Sequence, residues 1–192
     1  MIVHPIPPVF DKDSRILILG SFPSVKSRES MFFYGHPQNR FWKVVANVFH
    51  DDVPVTIPEK KAFLLRNHIA VWDVIHSCDI EGSSDSSIKN VTPNDLSVIL
   101  EKADIRAIFT NGKTSDKYYR KYIMPNMEIN GKTVQPTNRA NETSLSPTNT
   151  ANEASLLPTS IANAICLPST SPANAAWSME KLIQAWSVIV VK

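Results

Sequence analysis

A chain of 192 residues is long enough for one domain with a full core and too short for two ordinary domains. Hydrophobic residues make up 43% of the chain and charged residues 20%, which excludes a disordered polypeptide and indicates a globular protein. The formal net charge of +2 permits a polyanionic partner but does not argue for one.

The N-terminal segment MIVHPIPPVF has neither the positive charge nor the long apolar run of a secretion signal. No run in the chain approaches the roughly 18 apolar residues that span a bilayer. Two cysteines, Cys78 and Cys166, cannot form a disulfide framework, and their apolar surroundings predict buried free thiols. We therefore expect an intracellular protein without a membrane anchor, located in the cytoplasm or, in a eukaryote, in the nucleus.

Short apolar runs alternate with amphipathic segments along the chain. The first run, RILILG, ends in glycine and predicts a buried strand that enters a tight turn. Thr92 is the expected N-cap of a later helix, with Asp95 as a weaker capping-box partner. In chain order, the pattern predicts a strand at 15–20, helices at 39–49 and 58–68, a strand at 69–75, a helix at 92–103, a strand at 105–112, a helix at 114–124, a strand at 164–169 and a helix within 173–191.

This alternation predicts the α/β class, with three layers in which helices flank a central four-stranded, mainly parallel sheet. Ligands of such sheets bind at the carboxyl ends of the strands, where the connecting loops converge. We therefore expect four segments to meet at one edge: the turns after Gly20 and Gly112, the end of WDVIHSC (72–78) and the turn LPSTSP (167–172).

An 11-residue repeat precedes the C-terminal segment. The pattern Thr-x-x-Ala-Asn occurs at 137–141, 148–152, 159–163 and 170–174. Its copies are rich in Thr, Asn, Ser and Pro, so they lack the apolar positions of a supercoil and are shorter than solenoid repeats. We interpret residues 137–163 as a low-complexity insertion into a single domain spanning 1–192, produced by duplication of the element TSPAN. A binding role of the repeat itself is the alternative.

Several common functional motifs are missing from the sequence. The five histidines show no metal-ligand spacing, and no glycine-rich nucleotide-binding loop or nucleophile elbow is present. The sequence therefore predicts neither a metal nor a cofactor. Two neighbouring segments, GSFPS (20–24) and YGHPQNRFW (34–42), concentrate turn-forming, aromatic and amide residues and form the candidate site.

These segments contain the parts of a site for a planar ligand near phosphates. The turn at Gly20 can expose backbone N–H groups, aromatic rings can stack on the ligand, and Asn39 can orient a water molecule. The positive charges available for phosphates are those of Arg28, Arg40, Lys113, Lys117, Arg120 and Lys121. The alternative is a strand-to-helix loop with aromatic residues in the core and a solvated basic helix face.

The segments LILGSFPS, YGHPQNRFWKVV, FTNGKTSDKYYRKY and LPSTSPANA, in this order, resemble the uracil-DNA glycosylase superfamily, and most closely its hypoxanthine-DNA glycosylase branch. The resemblance covers nearly the whole chain apart from the repeat. It implies a uracil-DNA glycosylase-like fold and a monofunctional enzyme, without a cofactor, that hydrolyses the N-glycosidic bond of a deaminated base in DNA. Such an enzyme would be a monomer that acts in base excision repair.

The resemblance also implies roles for individual residues. Relatives carry a water-activating Asp or Asn directly after the first strand, where this chain has Ser21 and Phe22, so Asn39 takes the catalytic role. Relatives often start their second motif with a histidine, where this chain has Leu167. Base-binding candidates are Gly20, Ser21, Phe22, Pro23, Phe33 and Tyr34. DNA-binding candidates are Lys113, Pro168, Ser169, Thr170, Ser171, Pro172 and Asn174, with Ser171 and Pro172 at the tip of the turn.

Two other functions remain open on the sequence. The first is a uracil or thymine mismatch glycosylase with the same fold, which would share the HPQNRFW segment. The second is a DNA-binding relative without catalytic activity, inactivated by the repeat expansion beside LPSTSPAN. Assays with different deaminated bases distinguish the mismatch glycosylase from a hypoxanthine-DNA glycosylase. The presence or absence of base excision distinguishes the inactive relative from an enzyme.

Overall fold

The computed structural model describes residues 1–129, 132–133 and 163–190. Most of the repeat, residues 137–162, lies outside the described residues. The strands are β1 (Ile2–Val3), β2 (Ile16–Gly20), β3 (Ile69–Asp73), β4 (Ile75–Asp79), β5 (Lys89–Pro93), β6 (Ala107–Asn111), β7 (Glu128–Ile129), β8 (Lys132–Thr133) and β9 (Ile165–Leu167). The helices are α1 (Val25–Ser30), α2 (Phe41–Val48), α3 (Ile57–Arg66), α4 (Ser97–Leu100), α5 (Lys113–Tyr118) and α6 (Met179–Trp186).

The central sheet has the strand order β3-β2-β6-β9, and all its neighbouring strands are parallel. Every residue of β2 and β3 is buried, as expected for parallel strands that are covered on both faces. Helix α3 packs near β3, α5 packs near β6 and β9, and α2 contacts α6. The predicted α/β architecture, a four-stranded parallel sheet flanked by helices, is confirmed.

Local sequence signals set the ends of helix α3. The Thr56 side chain accepts a hydrogen bond from the Glu59 backbone, and the Glu59 carboxylate accepts one from the Thr56 backbone, which completes a capping box. Proline in the first turn lacks an N–H that would otherwise need a partner. The predicted helix 58–68 is therefore present, beginning one residue earlier and ending two residues earlier than predicted.

A second, antiparallel sheet of β1, β4 and β5 was not predicted from the sequence. The predicted N-cap Thr92 is wrong, because Thr92 lies within β5 and pairs with Ser77 of β4. Buried Asn94 follows β5 and donates hydrogen bonds to the backbone carbonyls of Asp73 and Ile75. These long-range contacts hold the segment extended, so helix α4 begins only at residue 97.

Two further elements differ from the sequence prediction. Helix α5 ends at Tyr118 and continues as a π-helical turn over Tyr119–Ile123. Helix α6 begins at Met179, after the N-cap Ser178, so residues 173–178 are a turn and not helix.

The prediction that both cysteine thiols are buried is wrong for Cys166. Cys166 is exposed because β9 is an edge strand of the described sheet, whereas Cys78 is buried.

Candidate active site

The carboxyl ends of the four parallel strands enclose a cavity of about 490 Å³. Each strand end contributes a lining residue at or just after its last position: Gly20 from β2, Asp73 from β3, Asn111 from β6 and Ser169 after β9. The predicted convergence of these segments at one edge is present. The volume lies within the roughly 300 to 1,000 Å³ typical of small-molecule sites, so the cavity can enclose a ligand the size of a base.

Most residues proposed from the sequence line this cavity. Those that do are Gly20, Ser21, Phe22, Pro23, Phe33, Tyr34, Asn39, Ser169, Thr170, Ser171 and Pro172. Lys113, Pro168 and Asn174 are not among the lining residues. Lys113 is exposed at the start of α5. The Pro168 carbonyl accepts a hydrogen bond from Trp186, and the Asn174 amide donates one to the Ser169 carbonyl, so both residues shape the turn that borders the cavity.

The three aromatic candidates are packed into the core and also line the cavity. Phe22 and Phe33 are 8% and 2% exposed, and both rings contact the imidazole of His4. The Tyr34 ring stacks on Phe41 with its centroid 3.8 Å away, so one of its faces is already covered. The Tyr34 hydroxyl is buried, and burial, followed by the nearby charge of Asp73, raises its pKa, whereas the neighbouring Asn111 amide opposes this rise. Packing in the core and stacking on a bound ligand are thus compatible for these three rings.

Asn39 is held by a chain of hydrogen bonds that crosses the cavity wall. Its Oδ1 accepts from the Phe41 backbone at 2.9 Å and from the Thr170 hydroxyl at 3.0 Å. Asn111 donates from Nδ2 to that hydroxyl at 2.9 Å, and its Oδ1 accepts from the Thr170 backbone at 3.0 Å. Because a backbone N–H can only donate, Oδ1 of Asn39 must be the atom facing Phe41. The remaining group of Asn39 is its Nδ2, a donor that makes no bond with the described residues.

The turn over residues 169–177 is fastened to the segment HPQNRFW by Arg40. The Arg40 backbone donates to the Thr170 carbonyl at 3.1 Å, and its Nη2 donates to the carbonyls of Ser171 and Asn174 at 3.0 and 2.9 Å. Its Nη1 donates to the Trp177 carbonyl. The guanidinium expected from the sequence to meet a phosphate therefore binds backbone carbonyls instead.

The other cations predicted to meet phosphates differ in whether they already bind groups of the protein. Arg28 donates to the carbonyls of Pro23 and Gly82, and Arg120 pairs with Asp116. Lys113, Lys117 and Lys121 are exposed on the face of α5 and the turn after it. Only the lysines of this set therefore present charge that is not already directed at carbonyls or a carboxylate.

A buried pair of residues that sequence reasoning missed stands at the cavity floor. Nε2 of His4 lies 2.8 Å from Oδ2 of Asp73, and the two side chains are 1% and 6% exposed. The Ile6 backbone donates to Nδ1 of His4, so Nδ1 is unprotonated and Nε2 carries the hydrogen. His4 thus donates from Nε2 to Oδ2 of Asp73, whose Oδ1 makes no hydrogen bond with the described residues.

Gly20 makes room for this carboxylate. A Cβ atom built on Gly20 would lie 2.1 Å from Oδ1 of Asp73, and the two residues are directly paired between β2 and β3. Asp73 could have been found from the sequence, because it is a carboxylate directly after a buried apolar run whose end was expected at the site. His4 had no such signal, since it lies in an N-terminal segment far away in the chain.

A second carboxylate reaches the cavity from the loop between β4 and β5. Asp85 lies in a 3₁₀ turn, Asp85–Ser87, and its Oδ1 accepts a hydrogen bond from the Ser21 hydroxyl at 3.2 Å. Three serines of this loop, Ser83, Ser84 and Ser86, also line the cavity. No motif in the sequence pointed to this loop. The segment EGSSDSS (81–87) is nevertheless a dense run of short polar residues, and the chain has no other such run apart from the repeat.

The part of the chain that the structure describes forms neither a metal-binding cluster nor a membrane-spanning helix. No three His, Cys, Asp or Glu side chains in this part of the chain come together as a metal site would require. No helix formed by the described residues has the length and apolar character needed to cross a membrane.

Comparison with known proteins defines the class of this fold and site. The family model of the uracil DNA glycosylase superfamily matches residues 7–189, and the chain belongs to this superfamily. A solution NMR structure from Methanosarcina acetivorans, described as a candidate uracil DNA glycosylase, superimposes with a TM-score of 0.67 at 26% identity, covering 99% of this chain and 97% of that one.

Two curated relatives are hypoxanthine DNA glycosylases. The protein of Methanosarcina barkeri is 35% identical over 114 residues, which are 58% of this chain and 72% of the relative. The protein of Methanosarcina acetivorans is 38% identical over 120 residues, which are 62% of this chain and 76% of the relative. The chain is therefore similar to named members of one branch of the superfamily.

Proposed function

We propose that the protein is a monofunctional DNA glycosylase that hydrolyses the N-glycosidic bond of a deaminated base, with hypoxanthine as the preferred base, in base excision repair. The names of the two curated relatives support this activity, and membership of the superfamily supports DNA as the partner. We further propose that it works as a monomer inside the cell, where its DNA substrate is found, in the cytoplasm or in a eukaryotic nucleus.

The observation that carries the proposal is the buried Asp73 side chain that lines the cavity at the end of β3. A carboxylate can only accept hydrogen bonds. Deamination of adenine to hypoxanthine changes ring nitrogen N1 from an acceptor into an N–H donor, and deamination of cytosine to uracil does the same at N3. Oδ1 of Asp73 is thus suited to a deaminated base and repels the lone pair of adenine N1 or cytosine N3.

Base flipping supplies further selectivity. A base inside a duplex must leave the stack to reach the cavity, at a cost of a few kcal/mol that is lowest for a mispaired base. Guanine also carries an N1–H, so its rejection depends on its stable pairing and on its exocyclic amino group. Phe22, Phe33 and Tyr34 line the path and supply apolar contact for the flipped ring.

In this proposal Asn39 holds the attacking water. Its Oδ1 is engaged by Phe41 and Thr170, so it can donate from Nδ2 to the water oxygen but cannot accept a proton. Orientation alone contributes strongly to such a reaction, because an oxocarbenium-like sugar carbon needs only a weak nucleophile. The water oxygen forms the new bond to the sugar carbon as the bond to the base breaks.

The departing base needs a hydrogen-bond donor. Leu167, which stands where relatives often have a histidine, cannot provide one. His36 lines the cavity, and its Nδ1 accepts from the Gln38 backbone at 3.2 Å, which leaves Nε2 as the N–H group. This hydrogen can be donated to the base as negative charge develops on it. The described lining contains no lysine, which supports a hydrolytic route without a Schiff base.

The test measures base release from oligonucleotides that contain hypoxanthine, uracil or xanthine, single- and double-stranded, by the wild type and by Asn39→Ala. We expect hypoxanthine release by the wild type, lost in Asn39→Ala while DNA binding is retained. Asn47→Ala, an exposed amide of α2, is the matched control. Release of uracil alone would identify the mismatch glycosylase instead. DNA binding without release by the wild type would identify an inactive relative, and borohydride trapping of a covalent adduct would exclude the monofunctional mechanism.

A further inference from the structure

The hydrolysis proposed above leaves one proton without an acceptor. A water molecule that forms a bond to carbon must lose a hydrogen, and a positioned base near the water accelerates this step. Asn39 cannot serve, because both acceptor positions of its Oδ1 are taken by the Phe41 backbone and the Thr170 hydroxyl. The acceptor must therefore be another group that lines the cavity.

Two carboxylates line the cavity in the described part of the chain, and they differ in depth. Asp73 is 4% exposed at the floor, where the strands end and the base edge would lie. Asp85 is more accessible than Asp73, although its carboxyl is partly desolvated, so it lies nearer to the solvent-facing rim of the cavity. When a base enters the cavity, its sugar stays with the DNA backbone at the rim. The carboxylate on the sugar side is thus Asp85.

Several contacts hold the Asp85 loop against the cavity. The Ser21 hydroxyl donates to Oδ1 of Asp85 at 3.2 Å, which orients the carboxylate. The Val25 backbone donates to the Ser83 hydroxyl at 2.9 Å, and Arg28 donates to the Gly82 carbonyl at 3.2 Å. The loop is therefore tied to the segment that follows β2, beside the turn that carries Gly20 and Ser21.

The surroundings of Asp85 raise the pKa of its carboxyl above the usual value of an aspartate. Partial burial raises the pKa of its carboxyl, the hydrogen bonds from Ser21 and Thr114 oppose this rise, and the charge of Asp73 adds to it. The titratable groups whose charges interact with Asp85 come from three elements: Asp73 of β3, Cys78 of β4 and Tyr118 of α5.

We propose that Asp85 is a catalytic residue that accepts the proton of the attacking water, supplied from the β4–β5 loop and oriented by Ser21. This inference rests on the proposed glycosylase function. In the step, the water oxygen bonds to the sugar carbon, its proton moves to the Asp85 carboxylate, and the electron pair of the broken glycosidic bond leaves on the base nitrogen. The base then takes up one proton, so water is the only co-reactant consumed.

The experiment is the pH dependence of single-turnover hypoxanthine release from a duplex with excess enzyme, for the wild type, Asp85→Asn, Asp85→Glu and Ser21→Ala. Because the base must be ionised, the wild-type rate falls with decreasing pH through the Asp85 pKa. We expect Asp85→Asn to lower the rate by on the order of 10²-fold and to remove this acid limb. DNA binding should be unchanged, and Asp85→Glu should restore part of the limb.

Ser21→Ala gives an independent readout that does not depend on the stability of the Asp85 variants. Loss of the hydrogen bond that lowers the Asp85 pKa should move the acid limb to higher pH. Glu81→Gln, an exposed carboxylate of the same loop that does not line the cavity, is the matched control and should behave as the wild type.

The outcomes separate this inference from the proposed function. A wild type that releases none of the deaminated bases overturns both. An active wild type with an Asp85→Asn variant that keeps its rate and its acid limb overturns only the role of Asp85. If Asp85→Asn does not fold, an acid limb that stays in place in Ser21→Ala overturns the role.

Discussion

His4 and Asp73 are 69 residues apart in the chain, and their side chains meet at 2.8 Å beneath the cavity. The pair joins the N-terminal segment to the end of β3, and each side chain is almost completely buried. A buried carboxylate needs such a donor, because its desolvation is costly when it has no partner. The same contact leaves Oδ1 of Asp73 as the acceptor available to a ligand.

Removing His4 should weaken both the fold and the site. His4→Ala leaves the buried Asp73 carboxylate without its donor, and we expect the free energy of unfolding to fall by about 1.5–3 kcal/mol, the usual range for a hydrogen bond to a charged group. Urea denaturation measures this change. His76→Ala removes an exposed imidazole of β4 and should leave the stability nearly unchanged. Equal stability of the two variants would show that the His4 contact contributes nothing.

Asp73→Asn should change which bases are released. The variant oxygen accepts the hydrogen of His4, so the amide nitrogen faces the cavity and its N–H meets the N1–H of hypoxanthine. Two donors facing each other in a buried site are unfavourable, and we expect hypoxanthine release to fall by on the order of 10²-fold or more. Single-turnover rates for hypoxanthine, uracil and adenine oligonucleotides measure the effect.

The control for this prediction is Asp52→Asn, an exposed carboxylate outside the cavity, which should keep the wild-type preference. An Asp73→Asn variant with an unchanged rate and an unchanged order of bases would contradict the role of Asp73 as the group that recognises the base edge.

Thr170→Val should disturb the position of Asn39 while Asn39 itself is left unchanged in the sequence. Valine has the shape of threonine but cannot donate to Asn39 or accept from Asn111, so Nδ2 of the half-buried Asn111 loses this acceptor. We expect the free energy of unfolding to fall by about 1–3 kcal/mol. The single-turnover rate should also fall, whereas Thr170→Ser, which keeps the hydroxyl, should retain most of both. Combining Thr170→Val with Asn39→Ala should lower the rate little further; full additivity would argue that the two residues act separately.

The dependence of DNA binding on salt distinguishes Arg40 from Lys113. Arg40 binds carbonyls of the turn that follows β9, so Arg40→Lys should loosen this turn and slow base release while the salt slope of DNA binding stays the same. Lys113 is exposed, and if it contacts a phosphate, Lys113→Ala should reduce the slope by about one unit. Binding titrations at several salt concentrations measure both slopes. A reduced salt slope for Arg40→Lys would instead indicate that Arg40 contacts a phosphate, as expected from the sequence.

The sequence predicted the fold because its main signals are local and repeated. Buried apolar runs such as RILILG specify parallel strands, and the alternation with amphipathic helices leaves few possible arrangements. Thr92 shows where this reasoning fails. A threonine followed by a proline and an acidic residue resembles a helix start, but the pairing of β5 with β4 and the hydrogen bonds of Asn94 hold that segment extended.

The sequence by itself determined the order of the elements, the edge of the sheet where the site lies and the segment that contains Asn39. Those properties follow from apolar periodicity, from turn residues and from the resemblance carried by a few short motifs. Only the tertiary structure decided that Oδ1 of Asn39 is bonded to Thr170, that Arg40 holds a turn, and that His4 and Asp85 reach the site. These contacts join residues 64 to 137 positions apart. No local pattern encodes them, because side chains so distant in the chain become neighbours only when the whole sheet has formed.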